Sequence, residues 1–393
     1  MIITKVREGI HQAWVDIQGL DKAMTNIAVV TDMSVSDLWG KINDYMAIAQ
    51  DYGVTTQGVY EVSQLYYQQG LSTSEVMEAT TETLKMARIA GMDYTEAADA
   101  MTVAIRAFKM EMSDAQVITD VYSKVAAVTA SDSQELAIAM SKTASSAESV
   151  GSSFENTTAM LAVMIETTRE SAQNLGSALK SIISRYGEMK TGLTVDSEGE
   201  AIDYNKVDTA LQSVGISIKD AQGQFRDFDD VIFELSKKWD SLDKNTQRYI
   251  ATIMAGNRQQ SRFIALVDNG ERLKEVMDAA HNSADAGLLQ YAKTLDSLET
   301  KLNALSTSFQ QFYMNIVNGG FFKGVVDIIT NFLNGLNELS TLNGILNIAT
   351  LINGLKLGLT TVVTVFANSF GEVYKRYKEL QKKMTSLAIK EGS

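Results

Sequence analysis

Four carboxylates alternate through a polar, glycine-containing run, Asp196, Glu198, Glu200 and Asp203 in TGLTVDSEGEAIDYNKVD (191–208). Alternating oxygen ligands are the donor set of a calcium loop, but the twelve-residue arrangement with a central glycine and a terminal bidentate Glu is missing. The run is therefore expected to be a mobile surface loop with no metal. Only two histidines occur, His11 and His281, against the three or four ligands a zinc site needs; each reads as a surface or cap residue. With no cysteine in the chain, thiolate sites, disulfides and cysteine nucleophiles are excluded. The sequence lacks the phosphate loop, G-x-G-x-x-G, G-x-S-x-G and H-E-x-x-H. Acids are numerous enough for a glycosidase-type pair, but no pair is marked as buried. No catalytic, cofactor-binding or metal residue is assigned, no cofactor is expected, and the chain does not read as an enzyme.

The elements that would position any such residues are helices. Among 393 residues there is no proline, where ordinary usage gives about 20. Proline interrupts helices by removing an N–H and clashing with the preceding turn, so the 26 glycines must punctuate them. The net charge of −13 argues against general or sequence-specific nucleic-acid binding, which needs clustered Lys and Arg. A local basic stretch, Lys375-Arg376-Tyr377-Lys378 with Lys382-Lys383, reads as a solvated helix face. The opening MIITKVREGI has no apolar signal core, so the chain is expected to begin in the cytoplasm.

Helix-start residues recur at Ser34, Thr55, Ser72, Asp93, Ser113, Ser131 and Ser152. Four of them open capping boxes, Ser72/Glu75, Ser113/Gln116, Ser131/Gln134 and Ser152/Glu155. Gly53, Gly70, Gly91 and Gly151 stand where left-handed C-caps would end the preceding helices. Between the caps apolar residues fall on single stripes: Ala97, Met101, Ala104, Ile105, Phe108; then Ile118, Val121, Val125, Val128; then Phe154, Thr158, Leu161, Ile165. Helices this short are marginal alone and must bury their stripes on neighbours. The expected fold is all-α, an array of short antiparallel helices, bundle- or solenoid-like. One small β-hairpin is expected near 216–227, turning at Gly223, followed by a helix through Val231, Leu235, Trp239 and Leu242.

Residues 312–370 are apolar, with segment 345–367 long enough to cross a bilayer; Asn343, Asn347 and Asn353 interrupt the region, and a buried or oligomer-forming helix fits it equally. By pattern the chain divides into an N-terminal helical region (1–70), helical repeats (71–190), the acidic polar loop (191–213), a hairpin plus helical region (214–311), apolar helices (312–370) and a basic tail (371–393).

Several stretches taken in order resemble one family. GMDYTEAADAMTVAIRAFKMEMSDAQVITDVY (91–122) and the run 130–185 are similar to the core of phage tail tape-measure proteins. VGISIKDAQGQFRDFDDVIFELSKKWDSL (214–242) looks like the hairpin-plus-helix unit of tape measures from phages and prophages of low-GC Gram-positive bacteria. ATIMAGNRQQSRFIALVDN (251–269) resembles the next family segment, with Gly256, Arg258, Gln259 and Phe263 at its recurring positions. The resemblance implies a structural scaffold in the lumen of the tail tube, made in the host cytoplasm, that sets tail length and leaves at genome ejection. It implies the tail tube protein, tail-assembly chaperones and the tail tip or baseplate initiator as partners, a homo-oligomer in the tube, and host-membrane insertion by the apolar segments. At ~1.5 Å per helical residue the chain would span at most about 590 Å, short for the family, so a fragment or split gene product is expected. The alternative is a membrane-active, pore-forming helical protein, motivated by 312–370.

Overall fold

A computed structural model describes residues 19–294. His11, the apolar helical region expected at 312–370 and the basic tail at 371–393 lie outside the described residues. The described residues divide into two compact units, 19–71 with 292–294, and Ser72–Tyr291.

In the first unit residues 19–30 form α1, followed by α2 (Val35–Gly40), α3 (Ile42–Asp51) and α4 (Thr56–Gln68). Ser34 opens α2 through a reciprocal box with Asp37, and Thr55 caps α4 by accepting from the Gly58 N–H at 3.1 Å. Tyr45 stacks on Tyr60 with ring centroids 4.2 Å apart, and its hydroxyl lies 3.3 Å from that of Tyr67. These buried rings are the heart of a small core with Leu38, Met46 and Val59.

The second unit contains α5 (Thr73–Ala90), α6 (Tyr94–Ala107), a 3-10 turn at Met112–Asp114, α7 (Ala115–Val128), α8 (Ser133–Ser149), α9 (Phe154–Thr168) and α10 (Ala172–Thr191). There follow α11 (Tyr204–Ser213), α12 (Phe228–Trp239), α13 (Lys244–Val267), α14 (Gly270–His281) and α15 (Ala286–Thr294). Ser72 and Asp93 cap α5 and α6 as the sequence predicts. Three other starts shift by one or two residues. Asp114 stands at the start of α7 in place of Ser113, its carboxylate turned back to accept from the Glu111 N–H at 2.9 Å. Asp132 boxes with Glu135, leaving Ser131 to bond Thr129 at 2.7 Å. Ser153 caps α9, while Ser152 is buried against Thr157. At α8 and α9 the competing side chain offers a carboxylate or a better-placed hydroxyl to the free N–H groups of the first turn.

The arrangement is a bundle. A solenoid repeat touches only its sequence neighbours, whereas here α5 packs on α7, α6 on α8, α8 on α10, α7 on α14, and α9 on α7, α8, α10, α13 and α14. Helix α9 is the centre. Every residue from Thr157 to Ile165 is buried, and a helix apolar all round has its place inside other helices. The single stripe expected for it is only part of what it buries. Gly176 of α10 lies against the backbone of Ala139 in α8, and Thr143 donates to the Gly176 carbonyl at 2.7 Å.

The β-hairpin expected near 216–227 does not form, and no strand occurs among the described residues. A single antiparallel bridge, Lys219 with Phe225, remains. The tip is too tight for a ladder: Asp220 accepts the N–H groups of both Gln222 and Gln224 (2.9 and 2.8 Å), and two residues after the bridge Asp227 already opens α12.

Candidate functional site

The acidic run at 191–208 is a second copy of that turn. Asp196 accepts from Glu198 and Glu200 N–H (3.0 and 2.7 Å), as Asp220 does from Gln222 and Gln224. The backbone bonds match one for one: Asp196 to Glu200, Gly199 to Asp196 and Ile202 to Thr194 in the first; Asp220 to Gln224, Gly223 to Asp220 and Arg226 to Ile218 in the second. Val195 bridges Ala201 as Lys219 bridges Phe225. Gly199 and Gly223 hold φ of 81° and 80°, a region in which side chains with a Cβ are disfavoured. An aspartate, Asp203 or Asp227, and an aromatic, Tyr204 or Phe228, then start a helix that buries Val207 and Leu211 or Val231 and Leu235. The offset is 24 positions throughout (Asp196 to Asp220, Leu211 to Leu235). The pattern D-x-x-G-x-x-x-D-[YF]-x-x-V-x-x-x-L, present twice, is the signal that identifies it.

The two copies differ in what they meet. The acidic copy, expected to be mobile and solvated, is docked. Beneath it Arg185 of α10 is buried, paired to Asp196, donating to the Ala201 carbonyl at 2.6 Å and to the Ile253 carbonyl at 3.1 Å. Glu198 accepts from Gln259 at 3.0 Å, and Glu200 accepts from the Asn257 backbone N–H at 2.7 Å. Arg258 lies 3.8 Å from Glu198 and 3.9 Å from Glu200. The receiving surface is the kink of α13, where Gly256 takes φ 73°, ψ 171° inside an otherwise helical run. Burial pushes the neighbouring Glu188 carboxyl above the usual range. Glu198 and Glu200 thus share Arg258, Asp196 goes to Arg185, and Asp203 caps α11 through the Lys206 N–H. Among the described residues no three His, Asp or Glu side chains gather as a metal would require. His281 ends α14 with Nε2 2.9 Å from the Asn156 side-chain oxygen.

Family positions named from the sequence acquire roles. Gly256 makes the kink, Arg258 and Gln259 hold the acidic turn, and Phe263 meets Trp239 edge to face at 6.4 Å. Two buried aspartates also fasten helices. Asp229 of α12 accepts from the Ser153 N–H and the Asn156 side chain at the start of α9. Asp120 of α7 accepts from Asp285 and Gly287 N–H at the start of α15. Burial raises both above the ordinary aspartate range.

Two arginines tie the later helices to the end of α9. Arg262 forks onto Glu170 with contacts of 3.1, 3.0 and 2.6 Å, and Arg272 reaches Glu166 and the Val128 carbonyl. The Arg262 hydrogen bonds hold the Glu170 carboxyl below its usual range. A depressed folded-state pKa adds stability above the unfolded value, near ~4.3 for Glu, and that stability is lost as pH falls through the folded value. A Glu170→Gln/Arg262→Met double-mutant cycle is expected to show a coupling of about 0.5–1 kcal/mol at pH 7, because the pair is partly hydrated. The coupling should vanish by about pH 2, well below the carboxylate range. Urea midpoints at the two pH values check it.

Among the described residues the chain is a helical bundle joined by docked turns and arginine ties. The chain belongs to the family of phage-related minor tail proteins, whose model matches residues 42–256, more than half of its length. It is similar, at 26% identity over 243 residues, to the tape measure protein of Pneumococcus phage Dp-1; the match covers 61% of this chain and 20% of that protein. The chain therefore spans about a fifth of that relative's length, and the family is that of the phage tail tape measures. No solved structure matches it.

Proposed function

We propose that the chain forms the core segment of a tail tape-measure protein: it lies in the lumen of the tail tube, sets tail length during assembly and is released at genome ejection. The relation to a tape measure protein across 243 residues carries this reading. The partners it calls for are the tail tube protein, tail-assembly chaperones and the tail tip or baseplate initiator, with several copies of the chain side by side in the tube. The pore-forming alternative rests on the apolar region 312–370, which lies outside the described residues; no helix among the described residues is long and apolar enough to cross a membrane.

The test is an in-frame deletion in the phage genome of residues 72–91, one capped helix of the bundle. If the segment serves as ruler in helical form, tails should shorten by about 30 Å, 20 residues at ~1.5 Å each. Electron microscopy of assembled particles measures it, and tails of unchanged length would refute the ruler assignment.

A further inference from the structure

In a straight α-helix the Asn257 N–H would bond the carbonyl four residues back, that of Ile253. With Gly256 at φ 73°, ψ 171° that bond cannot close, and both groups are satisfied from outside. Glu200 takes the Asn257 N–H at 2.7 Å, and Arg185 gives its Nε–H to the Ile253 carbonyl at 3.1 Å. The two replacements belong to one assembly, because Arg185 is paired to Asp196 in the same turn as Glu200. The turn therefore fills one half of the missing helical hydrogen bond, and the α10 arginine paired to it fills the other. A second brace crosses the kink, where Gln260 donates to the Arg248 carbonyl at 3.0 Å and to Thr252 at 2.6 Å. A Cβ at Gly256 would lie 2.8 Å from the Glu200 carboxylate, so glycine supplies both the conformation and the room for the acid.

We propose that α13 is a two-state element: bent at Gly256 while the 194–202 turn is docked, and a continuous helix when that turn is withdrawn, with Glu200 and Arg185 as the latch. Withdrawal leaves the Asn257 N–H unpaired and takes from Arg185 the Asp196 and Ala201 acceptors that hold it at the kink, and the nearest remedy for the N–H is the Ile253 carbonyl. The turn leaves as a unit, since its own hydrogen bonds are internal and Asp203 and Gly192 end it against helices on either side. Ile250 and Met254 on one arm and Phe263 and Leu266 on the other are buried in the bent form. Straightening moves one set relative to the other, so the bent form is the resting state and the latch holds it. The inference stands on this geometry and is independent of the tail-length reading.

The chain contains no cysteine, so two introduced thiols are the only labelling sites. Spin labels at Asn245→Cys and Asp268→Cys, both exposed, report the arms of α13 by pulsed dipolar spectroscopy. A straight helix sets these positions about 35 Å apart along its axis, and the bent form brings them closer. Glu200→Ala is expected to add a longer-distance population near that value, and Gly256→Ala, which adds the Cβ the latch excludes, to make it the major one. Glu200→Gln, an acceptor without the charge, should fall between the parent and Glu200→Ala. Distances unchanged from the parent in both Glu200→Ala and Gly256→Ala overturn the proposal. So does a shorter or broadened distribution accompanied by loss of helical circular dichroism, which would mean that the helix frays in place of straightening.

Discussion

Arg185→Met is expected to destabilise the 72–291 unit by ~3–5 kcal/mol, the scale for removing one partner of a buried ion pair. Methionine fills the space of the aliphatic stem but donates nothing. Three acceptors then lose their donor at once: the Asp196 carboxylate, the Ala201 carbonyl and the Ile253 carbonyl. Asp196 keeps the Glu198 and Glu200 N–H groups, so the turn retains its shape while its carboxylate sits buried without a counter-charge. The loss is a large share of the ~5–15 kcal/mol that holds a typical domain together. Arg185→Lys should recover only part, because an ammonium cannot span the three acceptors that a guanidinium fork reaches. Adding Asp196→Asn to Arg185→Met should recover more by removing the stranded charge. Urea midpoints of the intact chain measure all three, and a loss under about 1 kcal/mol for Arg185→Met, the scale of an exposed pair, would mean that water replaces the arginine.

Gly176→Val is expected to cost about 3 kcal/mol, the upper end for overpacking. A Cβ there would stand 2.3 Å from the Ala139 carbonyl oxygen and 2.8 Å from its Cα. These are backbone atoms of α8, which have no rotamer to change, so α8 and α10 must move apart. The separation also breaks the Thr143 bond to the Gly176 carbonyl. Ser177→Val, one residue along on the exposed side of the same helix, is the control and should cost only the β-branched helix penalty of about 0.5 kcal/mol. Equal losses at the two positions would show that helix propensity, not the α8–α10 crossing, sets the effect.

The helices were legible because their signals are local. Ser72 with Glu75 and Asp93 with the Thr95 N–H lie within one turn of each other, and the absence of proline removes the strongest interruption. Where two capping residues stand side by side, as Ser131 and Asp132 do, the local signal places the helix but not its first residue. Helix α9 reads from the sequence as one stripe because Phe154, Thr158, Leu161 and Ile165 satisfy the helical period. The other faces of α9, Ala159, Met160, Ala162, Val163 and Met164, are equally apolar, and periodicity does not register a helix without a polar side. The candidate site was hidden by distance along the chain. Glu200 meets Asn257 57 positions away and Arg262 meets Glu170 92 away, so neither partner can be assigned from spacing. The repeated turn was present in the sequence, but its hairpin-like alternation was more conspicuous than the aspartate that closes the tip on itself.

The position of α9 has a consequence for the order in which the chain is made. Its wrapping includes α13 and α14, and the ties that fix it, Glu166 to Arg272 and Glu170 to Arg262, span 106 and 92 positions. At ~5–20 residues per second of synthesis, an oily segment that no early helix can fully cover waits roughly 5–20 s for the last of its neighbours to be translated. The nascent chain therefore passes through an interval in which its stickiest surface is exposed and its native cover does not yet exist. This unit can complete its fold only after translation has passed residue 281.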